Sequence, residues 1–366
     1  MVGPGPKLEE VFKTSGIPTH TFVKPTEYQR LVVSLRTAGR GLVIEGPSGI
    51  GKTTSVLKAI EELGLSKNTL KLSARIADDR NLIAELPLMQ CIGIVLIDDF
   101  HRLAPELKQG IADYLKTLAD EEKADSKLII IGINKAGDAL IRFAADLNNR
   151  IDTVRFETNP DDRVEELVSK GESALNVEIS TKHDITLDAH GSFHIAQMLC
   201  RETCFAEGVT EYCDPKRKLH ASLAAVREGV LDELGRAFFE PARTFATGPR
   251  LRREGRAPYL HMLNWLALSE DWSLQIDQAL AQHPEHRGSV GQVIDKGYLE
   301  DFLSKHLGLE DAIHYDSATK TLSIEDPKFL YFLRNLIWNK FALQVGFLST
   351  EFKGRYDFAL SFAGAE

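Results

Sequence analysis

The stretch Gly46-Pro47-Ser48-Gly49-Ile50-Gly51-Lys52-Thr53 holds glycines, a lysine and a hydroxyl at the spacing a phosphate cradle needs. Glycine permits the backbone angles at which successive N–H groups converge on phosphate oxygens. Lys52 supplies a compact positive charge for the β- and γ-phosphates, and Thr53 a hydroxyl for Mg²⁺; Thr54 completes the set of nucleotide contacts. The residues that follow read as a helix, whose positive dipole end would face the same phosphates. The expected ligand is a purine nucleoside triphosphate, ATP with Mg²⁺. The nearest approach to a guanine-reading motif, Asn134-Lys135-Ala136-Gly137-Asp138, places its aspartate one residue late.

A second group of residues can supply the rest of a hydrolytic site. Ile94-Val95-Leu96-Ile97 runs into Asp98 and Asp99, which places two carboxylates at the carboxyl edge of a buried strand. Asp98 would hold Mg²⁺ through water, and Asp99 would orient or activate the attacking water. Glutamate is commoner than aspartate at the second position in fast hydrolases. The shorter reach of Asp99 therefore favours slow turnover and a switch role. Ile129-Ile130-Ile131-Gly132-Ile133 ends in Asn134, a candidate for touching the γ-phosphate or its water; a turn-forming asparagine is the alternative.

These residues need a scaffold, and the apolar pattern supplies one. Strands are expected over 41–45, 70–73, 92–97, 128–133 and 153–156, and helices over 27–37, 53–63, 107–118 and 136–147. Strands alternating with helices predict parallel crossovers and an α/β sheet covered on both faces. After Asn159-Pro160-Asp161-Asp162 the pattern turns helical. The expected organisation is a lead-in over 1–40, a P-loop core over 41–159, a helical lid over 160–240 and a Pro/Gly/Arg-rich linker over 241–256. Three helices, a hairpin turning at 316–320 and a last helix over 257–345 suggest a winged helix, with a linker and a further strand over 346–366.

Composition narrows the class. The chain has 366 residues, 43% hydrophobic and 27% charged, with a net charge of −9, so no global basic field favours nucleic acid or an anionic membrane. No apolar run reaches the ~18 residues of a membrane span, and the start has no secretory pattern, so a cytoplasmic protein is expected. Cys91 reads as a small core residue opening a strand. Cys200, Cys204 and Cys213 read as reduced thiols rather than as disulfides or a zinc site.

Together, the phosphate loop, the Asp98/Asp99 strand and Asn134 resemble the AAA+ and STAND ATPases over about residues 20–235. The resemblance implies an arginine finger that reaches the nucleotide of a neighbouring subunit, at Arg150 in Asp146-Leu147-Asn148-Asn149-Arg150, with Arg142 competing. It also implies a lid sensor after Gly191-Ser192-Phe193, where His194 stands in place of the usual arginine; this departure again suggests a switch. Phe22 and Val23, with Pro25, resemble the segment that packs on adenine, and Val23 is taken as the contact. The segment Arg355 to Glu366 is similar to the first strand and turn of a TIR domain, a class that often cleaves NAD; the catalytic glutamate of such a domain would lie beyond Glu366.

The resulting expectation is an ATP-dependent switch that self-associates and activates a fused TIR effector in antiviral or immune signalling. A DNA-associated AAA+ loader or transposition regulator is the alternative, resting on the winged helix and on Arg250, Arg252, Arg253 and Arg256. Nucleic acid is not the favoured partner, because the chain is acidic and no aromatics interleave with the arginines. A chaperone-like remodeller ranks last, for want of an aromatic-glycine pore loop.

Overall fold

The computed structural model describes residues 5–132, 147, 150–249, 256–269, 272–309 and 311–347. Asn134, Arg142, most of the 136–147 helix and the TIR-like end lie outside the described residues. The chain divides into two compact units, Met1–Val230 and Leu231–Glu366.

The first unit is built on five strands: β1 (Gly41–Glu45), β2 (Thr69–Ser73), β3 (Gly93–Asp98), β4 (Ser126–Ile131) and β5 (Ile151–Arg155). Their order is β2-β3-β4-β1-β5, and every pairing is parallel. Parallel neighbours need crossovers, which α3 (Lys52–Glu62), α4 (Ala77–Glu85) and α5 (Pro105–Asp120) supply; two short helices, α1 (Leu8–Val11) and α2 (Tyr28–Arg36), precede β1. β1 and β4 are buried along their whole length, as strands covered on both faces must be. Val43, Val95, Ile97, Leu128 and Ile130 pack with Ile111 and Leu115 of α5 in one core. At the end of α3, Gly64 adopts φ +71 and Leu65 N–H donates to the Ile60 carbonyl, which closes the helix at the expected glycine.

Several expectations change. β4 begins at Ser126 and ends at Ile131, two residues earlier than expected. Cys91 is exposed rather than buried, because β3 starts only at Gly93, which takes a positive φ, and leaves Cys91 in the preceding loop, its Sγ 3.6 Å from the Asp125 carbonyl. α4 is an addition to the expected helices: only Ile83 is buried on it, so it carries no apolar period.

The lid section adds α6 (Asp161–Leu175), α7 (Lys182–Asp188), α8 (Phe193–Ala206) and α9 (Leu223–Thr247). It also holds a parallel two-stranded sheet, β6 (Val177–Ile179) with β7 (Arg217–Leu219), which the helical pattern hides because each strand is only three residues long. Cys200 and Cys204 are buried on α8; burial pushes the Cys200 thiol up and that of Cys204 to about 12, so both are neutral core groups. α9 runs through Pro241 to Thr247, so the first part of the expected 241–256 linker is helical.

In the second unit α10 (Pro258–Leu268) is followed by β8 (Ser273–Gln275), α11 (Ile276–Gln282), α12 (Gln292–Asp295), α13 (Tyr298–Lys305), β9 (Ile313–Asp316), β10 (Thr321–Ile324), α14 (Pro327–Arg334) and α15 (Trp338–Gln344). The expected hairpin is present, its turn held by Asp316 Oδ1, which accepts from the N–H groups of Ala318 and Thr319. β8 pairs antiparallel with β10, giving the sheet order β8-β10-β9. Phe245, Tyr259 and Phe302 form an edge-packed aromatic core.

His261 sits in this unit at 5% exposure, its ring 3.9 Å from that of His286, while His283 stacks on Trp265. Burial, then the neighbouring His286 and His283, lowers its pKa to about 4 from the ordinary 6.5. Below pH 6.5 the unfolded chain takes up a proton that the folded one refuses. Stability is thus lost as pH falls from 6.5 towards 4, by about 2 kcal/mol for this residue at pH 4.5. Chemical denaturation at pH 7.5 and 4.5 should show that His261→Gln reduces the acid loss by about that amount.

Candidate nucleotide site

The loop between β1 and α3 is shaped by backbone angles that side chains resist. Gly46, Gly49 and Gly51 adopt φ of +141, +76 and +96. A Cβ on Gly46 would lie 2.3 Å from the Phe156 carbonyl oxygen, so glycine is required there. Lys52 opens α3 at 8% exposure and donates from Nζ to the Gly46 carbonyl at 2.8 Å and to the Pro47 carbonyl. Its ammonium is thereby held across the mouth of the loop by backbone dipoles. Thr54 is half-buried in the first turn of α3.

Thr53 Oγ1 donates to Asp98 Oδ2 at 3.0 Å, which brings together the two expected metal-binding groups. Burial and the neighbouring Asp99 carboxylate raise the Asp98 pKa, against the opposing pull of the Thr53 hydroxyl and the Asp99 N–H. A buried carboxylate destabilised by its surroundings, with a hydroxyl beside it, is a hard-oxygen set suited to a divalent cation.

Asp99 adopts a left-handed conformation, φ +57, and its carboxylate is occupied. Arg75 clasps it through two nitrogens, Nε to Oδ2 at 2.7 Å and Nη2 to Oδ1 at 3.3 Å, and the Ser73 hydroxyl donates to Oδ2 at 3.3 Å. Ser73 ends β2 in register with Asp98. The turn after it is fixed by Asp79, which accepts from Ser73 N–H, and by Arg80, which donates to the Ala74 and Arg75 carbonyls. Arg75 and Ser73 escape the sequence reading, because nothing but the sheet order tells that β2 lies beside β3.

The lid reaches the same loop. His194 N–H donates to the Gly49 carbonyl at 3.4 Å, which sets the start of α8 against the phosphate loop. The Ser192 hydroxyl also donates to Gly49, at 3.4 Å, and Asn159 Nδ2 donates to the Ile50 carbonyl at 3.3 Å. Val23 is buried in an extended segment: Lys170 donates to the Phe22 carbonyl at 2.7 Å, and Thr21 Oγ1 lies 3.2 Å from Gln197 Oε1 on α8. One helix thus touches both the loop and the adenine candidate segment.

Two candidates are not in this group. Arg150 precedes β5, at the opposite edge of the sheet from the loop, and its Nε donates to Asp120 Oδ1 at 2.7 Å. Asn134 lies outside the described residues; β4, which precedes it in the chain, lies between β3 and β1.

A parallel sheet in this order, with a phosphate loop after β1 and paired acids after β3, defines a P-loop nucleotide-binding core. Residues 42–157 match the family model described as ATPase family associated with various cellular activities (AAA). This stretch is an AAA ATPase domain, and the match supports ATP binding by it. Comparison with curated proteins finds no match. Among solved structures, the chain is similar to the ORC2 protein of Aeropyrum pernix in ADPNP–ADP complexes, with TM-score 0.47 and 14% identity, covering 93% of this chain and 99% of that one. It is similar also to the Thermotoga maritima RuvB Holliday junction branch migration motor, with TM-score 0.42 and 16% identity, over 63% and 83%. Domain III of the Thermotoga maritima replication initiation protein DnaA matches with TM-score 0.41 and 12% identity, over 61% and 96%. No helix among the described residues is long and apolar enough to cross a membrane.

Proposed function

We propose that the chain is an ATP-binding switch with slow hydrolysis, in which nucleotide controls self-association. The observation that carries this reading is the clasp on Asp99: the carboxylate assigned to activate water is neutralised within the chain by Arg75. A base held by a guanidinium takes a proton less readily, which adds a few-fold to the slowing expected from the short reach of Asp99, so bound ATP persists and its presence is the signal. Lys52 is the residue for the β- and γ-phosphates. Thr53 and Asp98 would hold Mg²⁺, which supplies charge neutralisation at the phosphates when bound. Arg150, turned away from its own loop, suits contact with the nucleotide of a second copy.

The output in this reading is a TIR effector, a part that rests on the sequence resemblance of residues 355–366 alone. The C-terminal unit supports a winged-helix reading by its order of helix, strand, helices and hairpin, with β8 joined to β10. That topology and the arginine run favour the second reading, a DNA-associated ATPase. Charge argues the other way. α13 exposes Glu300 and Asp301, and Lys320 at the hairpin turn is within 3.4 Å of Asp277 and 3.5 Å of Asp295, so the lysine best placed to meet phosphate already faces carboxylates.

Mass photometry with ATP and with ADP, on wild type and Lys52→Ala, tests the switch. Assembly with ATP that ADP does not support and that Lys52→Ala cannot make is the expected result. A monomer that turns over ATP rapidly, with kcat independent of protein concentration, would sink it. Salt-dependent duplex binding, lost when Arg250, Arg252, Arg253 and Arg256 are changed to Ala, would promote the second reading.

A further inference from the structure

The carbonyls of Gly49 and Ile50 accept hydrogen bonds from outside the phosphate loop. Gly49 takes the Ser192 hydroxyl and the His194 N–H, both at 3.4 Å, and Ile50 takes Asn159 Nδ2 at 3.3 Å. Asn159 is 5% exposed and stands between the core and the lid. Its other Nδ2 hydrogen serves the Gly191 carbonyl at 2.9 Å, and its N–H donates to the same carbonyl at 3.2 Å. The approach is close enough that a Cβ on Gly191 would lie 2.7 Å from the Asn159 carbonyl oxygen. Ser192 also serves as N-cap of α8, where its side-chain oxygen accepts from Ile195 N–H at 3.3 Å.

A trans peptide unit is planar, with its C=O and the next N–H pointing in opposite directions. A donor that fixes the Gly49 carbonyl therefore aims the Ile50 N–H, and one that fixes the Ile50 carbonyl aims the Gly51 N–H. These are N–H groups of the phosphate cradle. We infer that Asn159 and Ser192 are positioning residues that orient the Ile50 and Gly51 amides towards phosphate and pass the loop's occupancy to α8. The inference rests on the reading that this loop binds ATP. Polarisation links the two ends: an amide that donates to phosphate makes its own carbonyl a better acceptor, so the long lid contacts tighten when nucleotide is bound. The coupling runs through the backbone and needs no charged sensor, which gives the lid a means of reading the site with a histidine at position 194.

Three substitutions separate this role from simple packing. Asn159→Asp keeps the side-chain shape but loses both Nδ2 donors. Ser192→Asp keeps the acceptor that caps α8 but cannot donate to Gly49. Ser192→Thr keeps both. Hydrogen–deuterium exchange over 193–206, with and without Mg²⁺ and the fluorescent analogue mant-ATP, reads the lid, and fluorescence titration reads affinity. Wild type and Ser192→Thr should show nucleotide-dependent protection of this segment. Asn159→Asp and Ser192→Asp should lose most of that protection at mant-ATP concentrations that saturate each variant in the titration. Wild-type protection in both Asp variants overturns the inference, and so does its loss in Ser192→Thr. Wild type that does not bind mant-ATP removes the ATP reading itself, a distinct result.

Discussion

Asp99→Asn is expected to lower ATP turnover by about 10²- to 10⁴-fold, the usual contribution of a positioned general base, with little change in nucleotide affinity. The amide retains the shape of the side chain but cannot take a proton from water. The informative companion is Arg75→Ala. In the structure Arg75 holds both Asp99 oxygens, and its side chain is 38% exposed. A partly solvated pair of this kind is worth at most about 1 kcal/mol. Releasing it should raise turnover by a few-fold, at most about fivefold, and the double variant should behave as Asp99→Asn does. Steady-state ATPase assays at saturating ATP decide the matter. A fall on Arg75→Ala would mean that the arginine assists hydrolysis rather than restrains it.

Lys127→Met is expected to destabilise the first unit by about 3 kcal/mol. Lys127 lies on β4 at 8% exposure, and its Nζ donates to the carbonyls of Ser34 and Thr37 at 2.8 Å and of Arg40 at 2.7 Å. The ammonium thus gathers the end of α2 and the chain entering β1. Burial brings its pKa down to about 8, so it stays charged at neutral pH. Methionine fills similar space but leaves three carbonyls without this donor, at roughly 1 kcal/mol each. Urea unfolding should show a lower midpoint. Because Lys127 belongs to the amino edge of the sheet, ATP affinity of the folded variant should remain near that of wild type.

Much of the core is legible in the sequence. β1, β3 and β4 are apolar because both their faces are covered, and the loop after β1 identifies itself through glycines that must take positive φ. Thr53 and Asp98 are grouped in the sequence on chemistry alone, and in the structure a 3.0 Å hydrogen bond joins them. What could not be read depends on tertiary placement. The Arg75 clasp exists only because β2 pairs with β3, and the role of Asn159 only because its amide meets backbone carbonyls, which have no sequence signature. Cys91 is misplaced by the sequence because its apolar neighbour Ile92 reads as part of the strand, whereas the strand starts only at Gly93. The hairpin of the second unit is legible from its turn residues; β8 is not, since three residues carry no periodicity.

The contact between Gly46 and the end of β5 has a consequence for genetics. Phe156 N–H donates to the Glu45 carbonyl at 2.8 Å, and the Phe156 carbonyl occupies the space a side chain at 46 would need. The exit of β5 is therefore a mould against which the phosphate loop is cast. A selection for alleles blind to nucleotide should return lesions around residue 156 as well as within 46–53, although the former belong to a strand far along the chain and bear none of the groups assigned to hold the ligand.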